Sequence, residues 1–157
     1  MDFEAQIKSL TDNAPQDGIT PSLVVAIAPV LHAIAQTLDH NQYYILQNID
    51  GNWLMTTLSN RKNPQTEKKV IYAFPNLKDA SSDAIQNKDS QVTAIAVPTI
   101  HILFQLTALE PVDSIVFFET SGTSANTVEV QRYELLSLIE QRLQRNKTTD
   151  WIPPDIA

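Results

Sequence analysis

The sequence predicts an α+β domain: one mixed β-sheet of about five to six strands, two hairpins plus central strands, with helices packed on it. Three observations carry this. Segments with apolar residues three and four apart alternate with shorter segments rich in β-branched and aromatic residues. Asp50-Gly51, a pair suited to the positive φ values of a tight turn, separates two strand-like runs. Residues 115–118, Ile-Val-Phe-Phe, form an unbroken bulky apolar run of the kind found in a strand covered on both faces. At 157 residues the chain has the length of one ordinary domain. The expected division is an N-terminal arm or short helix over 1–19, a single α+β domain over 20–146, and a C-terminal tail over 147–157.

Taken in order, the first clear element is a helix. Thr20 and Pro21 make a good start, a capping hydroxyl followed by proline at the first helical position. Leu23, Ile27, Leu31, Ile34 and Leu38 follow helical spacing. Pro29 lies inside this pattern, so either one kinked helix runs through it or a short strand over 23–28 precedes a helix beginning there. A helix over 30–38 is common to both. The runs "QYYILQNI" and "NWLMTTLS" then predict a hairpin about Asp50-Gly51. "KKVIYAF" predicts a third strand ended by Pro75-Asn76, and "LKDASSDAIQ" a short helix with a polar face. "QVTAIAVP" reads as a buried strand stopped by Pro98, and "TIHILFQLTAL" as a helix packed on the sheet. Residues 114–119 form the expected central strand. "NTVEVQR" is its partner with one exposed face, and "YELLSLIEQRLQR" closes the domain as an amphipathic helix.

Ala26-Ile27-Ala28 and Ala94-Ile95-Ala96 each open a run that continues through proline, a helix carrying His then Gln, and a strand leading into a hairpin. A true repeat would place two helix–hairpin units side by side in one sheet.

Charge and composition narrow the function classes. Acidic residues outnumber basic ones, 18 to 11, for a net charge of −7, which argues against a phosphate-binding surface and hence against nucleic acid. The basic cluster Arg61, Lys62, Lys68 and Lys69 sits beside Pro64 and is expected in a solvated loop. There is no cysteine, so thiol nucleophiles, disulfides and cysteine-ligated zinc are excluded. The apolar stretch over 23–31 is interrupted by Pro29 and is far below the roughly 20 residues that span a bilayer. The acidic beginning lacks the positive start and apolar run of a secretory signal. No membrane insertion and a cytoplasmic location are the expectations.

Two segments, "WLMTTLSNRKNPQTEKKVIYAFPNLKDA" and "PTIHILFQLTALEPVDSIVFFETSGTSANTVEVQRYELLSLI", carry a pattern that resembles the SseB-like (enhanced serine sensitivity protein B) N-terminal domain family. The first is similar to that family's strand, loop, and strand stepping through apolar and aromatic residues into a helix. The second is similar to its helix, strand, and final strand running into a helix near Glu134-Leu135. The likeness spans residues 30–143. Glu119-Thr120 stands where the family usually has Asn-Pro. The resemblance implies a fold more than an activity, since that family has no established catalytic residues to carry over.

The small-polar stretch 121–127, Ser-Gly-Thr-Ser-Ala-Asn-Thr, could grip phosphate or bear a nucleophile. It has one glycine, Gly122, no nearby lysine and a strand after it, so it lacks a phosphate loop's composition. Ser121 and Ser124 have no Gly-x-Ser-x-Gly frame. A polar hairpin loop accounts for the stretch. His32 and His101 lie among apolar residues, and His40 stands at a helix end beside Asp39. None has the helical spacing of a zinc site. Asp79 and Asp83 share one face of a short helix, as a solvated face would. No catalytic residue, cofactor or metal is therefore expected. The candidate partner-docking residues are Trp151, Ile152, Pro153 and Pro154, an apolar, proline-stiffened run in the tail. The expected function is a non-enzymatic protein-interaction or regulatory domain, SseB-like, with a protein partner or self-association, including a homodimer, as its mode. The alternative is a small-ligand-binding protein or enzyme whose site is assembled from scattered residues, His32, His101 and Tyr43 first among them.

Overall fold

The computed structural model describes residues 2–13, 20–60, 63–86, 91–123 and 125–150. Among these residues five helices and a mixed six-stranded open sheet make one α+β arrangement, in the order α1 (Phe3–Asn13), α2 (Thr20–Ala35), β1 (Gln42–Gln47), β2 (Thr56–Asn60), β3 (Asn63–Phe74), α3 (Leu77–Gln86), β4 (Thr93–Pro98), α4 (Thr99–Ala108), β5 (Ser114–Phe118), β6 (Thr127–Gln131) and α5 (Arg132–Asp150). The strands lie in the order β4-β1-β3-β5-β6, with β2 also on β3. All pairings are antiparallel except β3 with β5.

Period-two alternation divides the sheet into two faces. Tyr43, Ile45, Ile71, Ala73, Ile115, Phe117 and Val130 point to one face and join residues of α2, α4 and α5 in the main core. Phe3, Ile7 and Leu10 of α1 pack against the same core. On the other face Leu46 and Phe74 meet Ala80 of α3, with Tyr44, Tyr72, Ala94 and Phe118 around them. Helices therefore cover one face broadly, while α3 covers part of the second.

Pro29 is accommodated inside a continuous α2, so residues 23–28 are helical and the alternative strand there is not formed. The carbonyl it leaves without a donor is that of Val25, which lies on the exposed side of the helix, where water can take the donor's place. The helix ends at Ala35, and the turns Thr37 N–H to Ile34 and Leu38 N–H to Ala35 carry the chain on. That is three residues short of the sequence expectation.

The Asp50-Gly51 turn forms as expected: Gly51 has φ +82°, its N–H donates to the Asn48 carbonyl at 3.0 Å, and Asn48 Oδ1 accepts from Asp50 and Asn52 N–H. The hairpin it should close does not extend. After the single bridge Gln47 with Trp53, β2 leaves β1 and pairs along β3, Thr56 opposite Val70. The physical reason is occupancy, since β1 already has β4 on one edge and β3, through Tyr44–Phe74 and Ile45–Ala73, on the other. The hairpins that do form are β2–β3 and β5–β6.

Other expectations shift in position. β3 begins at Asn63 and includes Lys68 and Lys69, so those two lysines lie in a strand, held opposite Leu58 and Thr57 by the β2 ladder. Arg61 and Lys62 lie outside the described residues. The central strand is β3, and β5 stands one place from the edge. Val116 and Phe118 are only half-buried because α3 does not reach across the whole second face. β4 stops at Pro98 as expected but is an edge strand, half-exposed. The two Ala-Ile-Ala runs are not a structural repeat. The first lies within α2 and the second within β4, where Thr93 and Val97 favour the extended form and β1 supplies a ladder.

Candidate functional site

Side-chain hydrogen bonds fix the ends of the helices, and these fixings shape the site. Gln6 of α1 is fully buried. Its Oε1 accepts the Ile100 N–H at 2.8 Å and its Nε2 donates to the Asn41 carbonyl at 2.7 Å. It thereby satisfies the first turn of α4, whose N-cap, Pro98, offers no side-chain acceptor. Arg132 serves the other end of α4, donating to the carbonyls of Leu106 and Thr107 at 3.1 and 2.9 Å.

A second polar centre lies just past the end of β5. Glu119 is 6% exposed, and its carboxylate accepts from the Tyr43 hydroxyl and the Asp39 N–H. His40 Nε2 donates to the Glu119 carbonyl at 2.9 Å. Burial, and then the Glu119 carboxylate that its hydroxyl faces, push the Tyr43 phenol well above its usual range. Tyr43 is thus a fixed neutral donor, its ring edge-on to Phe117 at 4.8 Å and to His40 at 5.4 Å. Glu119 ties the connection between α2 and β1 to the sheet.

On the second face, the carboxyl ends of the parallel strands β3 and β5 open into a groove of about 560 Å³. Its floor is Phe74 and Phe118, stacked at 5.2 Å with 10° between the ring planes. Tyr72 lies tilted against Phe118 at 5.4 Å. One wall is α3, through Lys78, Asp79, Ser82 and Asp83, and the other is the hairpin loop at Gly122 and Thr123. Gly122, at φ +79°, turns that loop so that its N–H donates to Asp79 Oδ2 at 3.0 Å. Asn76 caps α3 by accepting the Asp79 N–H at 2.9 Å, while its amide donates to Ser121 Oγ at 2.7 Å. The loop is therefore pinned to the first turn of α3. Asp83 is partly buried at the groove wall, and that burial raises its carboxyl above its ordinary value.

Residues 121–123 and 125–126 belong to the β5–β6 hairpin loop, as their composition suggests, while Thr127 begins β6; Gly122 and Thr123 form one wall of the groove. Ser121 is engaged with Asn76, and Ser124 lies outside the described residues. Asp79 holds the loop and Asp83 is partly buried, so the pair is more than a solvated face. His32 lies edge-on to Phe3 at 5.7 Å, His101 donates to the Gln6 carbonyl at 3.2 Å, and Tyr43 donates to Glu119. These three have separate partners. Among the described residues no group of three or more His, Asp or Glu could hold a metal ion, and no helix is long and apolar enough to cross a membrane. Trp151, Ile152, Pro153 and Pro154 lie outside the described residues.

Sequence reasoning missed Gln6, Glu119 and the Phe74–Phe118 stack. The one available signal was Glu119, a charged residue closing the apolar run Ile115–Phe118. Scanned against protein-family models the chain has no match, and no curated protein matches it.

Proposed function

We propose that this chain is a non-enzymatic protein-interaction domain of the SseB-like type and that its partner docks in the groove between α3 and the β5–β6 loop. The half-buried ring of Phe118, held by its stack on buried Phe74, supports this most strongly: an aromatic side chain fixed between two walls offers a partner a preorganised place for an apolar or aromatic anchor. Asp79 and Asp83 on the rim, in a chain of net charge −7, favour a partner segment that carries basic residues beside that anchor. The domain is proposed to act in the cytoplasm on protein, with no cofactor.

Affinity capture from native extract tests this with rim substitutions in place of floor substitutions, so that folding is spared. Ser82→Arg and Thr123→Arg place bulky cations at exposed groove positions. Leu138→Arg, at an exposed position on α5, is the control. A protein retained by the parent and by Leu138→Arg but lost from both rim variants is the expected result. Identical captured proteins across all variants would remove the groove from the interaction.

A further inference from the structure

Among the described residues three strands, β4, β6 and β2, pair on one side only, and β4 and β6, which end the main strand order, are protected differently. β6 presents Thr127, Glu129 and Gln131 at alternate positions, with Glu129 paired to Lys68. β4, Thr-Ala-Ile-Ala-Val-Pro, has no charged residue. Among the described residues nothing pairs with its outer side. An uncharged, apolar edge without a bulge is the kind that recruits another strand.

The hydrogen-bond phase of β4 is fixed by its neighbour. Thr99 N–H donates to the Asn41 carbonyl at 3.0 Å, one step beyond the Gln42–Pro98 pair. Antiparallel pairs alternate, so Tyr43–Val97, Ile45–Ile95 and Gln47–Thr93 are hydrogen-bonded pairs, whereas Tyr44–Ala96 and Leu46–Ala94 are not. Leu46 agrees, since its carbonyl accepts from Leu54 on the opposite side of β1. Ala94 and Ala96 therefore turn both N–H and C=O outward. Pro98, whose missing N–H would also point outward, costs β1 nothing.

We propose that β4 pairs antiparallel with β4 of a second copy of this chain, joining the two sheets across a two-fold axis at Ile95. In that register Ala94 of one copy faces Ala96 of the other and each pair exchanges both backbone hydrogen bonds. The operation maps outward-facing residues onto outward-facing residues, so the edge is complementary to itself. Ile95 meets Ile95 of the partner as a non-hydrogen-bonded pair, and no like charges are opposed. The same operation on β6 would crowd Glu129 against its mate's strand. Small side chains at positions 94 and 96 leave the approach of the second backbone open.

The absence of cysteine from the chain provides the test. Non-hydrogen-bonded partners have Cα atoms about 4.5 Å apart, within disulfide range. Full-length Ile95→Cys should form a disulfide-linked dimer under mild oxidation many times faster than Ala125→Cys, an exposed loop control. The parent should sediment as two chains and Ala96→Pro as one, with an unchanged far-ultraviolet spectrum, because only an outward N–H is lost. A one-chain mass for the parent at every concentration, or Ile95→Cys linking no faster than the control, overturns the proposal. Should Ala96→Pro fail to fold, the cross-linking comparison decides alone. The groove is tested at separate positions, so either proposal can fail without the other.

Discussion

Replacing Tyr43 by Phe removes one oxygen from a fully buried ring and leaves the ring's edge contact with Phe117 at 4.8 Å in place. What is lost is the hydroxyl donor to the Glu119 carboxylate, which then keeps the Asp39 N–H as its remaining protein donor in this centre. A hydrogen bond to a charged group contributes about 1.5–3 kcal/mol, and loss of that size is expected at pH 7. Urea unfolding with unchanged slope reads it directly. Glu119→Gln in the same background supplies the control, because a neutral amide needs the donor far less. The cost of Tyr43→Phe should fall below about 1 kcal/mol there. The phenol's folded-state pKa is raised, so its contribution is complete below the unfolded value near 10 and is lost as pH climbs above it. The parent should therefore weaken more steeply above about pH 10 than Tyr43→Phe does. A loss under about 0.5 kcal/mol, or one equal in both backgrounds, would show that Glu119 does not depend on Tyr43.

Three further outcomes follow from the same contacts. Gln6→Ala strips the acceptor from Ile100 N–H and the donor from Asn41. A loss of about 2–4 kcal/mol in chemical denaturation is expected, with α1 amides gaining hydrogen-exchange rate first. The Lys68 ammonium and then the Ser114 hydroxyl hold the Glu129 carboxyl below its usual range, so their stabilisation is present above the ordinary carboxylate pKa and disappears as pH falls through the lowered one. Lys68 is 41% exposed, so Lys68→Ala should cost under about 1 kcal/mol in neutral unfolding assays and nothing at strongly acid pH. Gly122→Ala meets no atom within 4 Å, so only the positive φ opposes it. A loss of about 1 kcal/mol is expected by thermal unfolding.

Most local elements were legible because the residues that specify them are neighbours in sequence. Gly51 dictates its turn, and the Ile115–Phe118 run dictates a strand. Pairing was less legible, because it depends on which edges other strands have taken. β2 abandons β1 only because β3 and β4 hold both of its edges. The Ala-Ile-Ala runs show the same limit, one tripeptide serving a helix and a strand according to its tertiary surroundings. Asp79 looked like a solvated acid until the fold brought Gly122 to it, and Phe74 and Phe118 became a floor only through the parallel register of β3 and β5. Gln6 carried no signal: a polar residue on an amphipathic helix does not announce that it will cap another helix.

The groove is tested most directly by the amide shifts of isotope-labelled chain on addition of the protein that affinity capture recovers. The expected perturbations concentrate at residues 77–83 and 118–123, on the wall of α3 and the pinned loop, with α2 and α5 unmoved. Perturbations confined to α2 and α5, with residues 77–83 and 118–123 silent, would place the docking surface on the opposite face and contradict the proposed function.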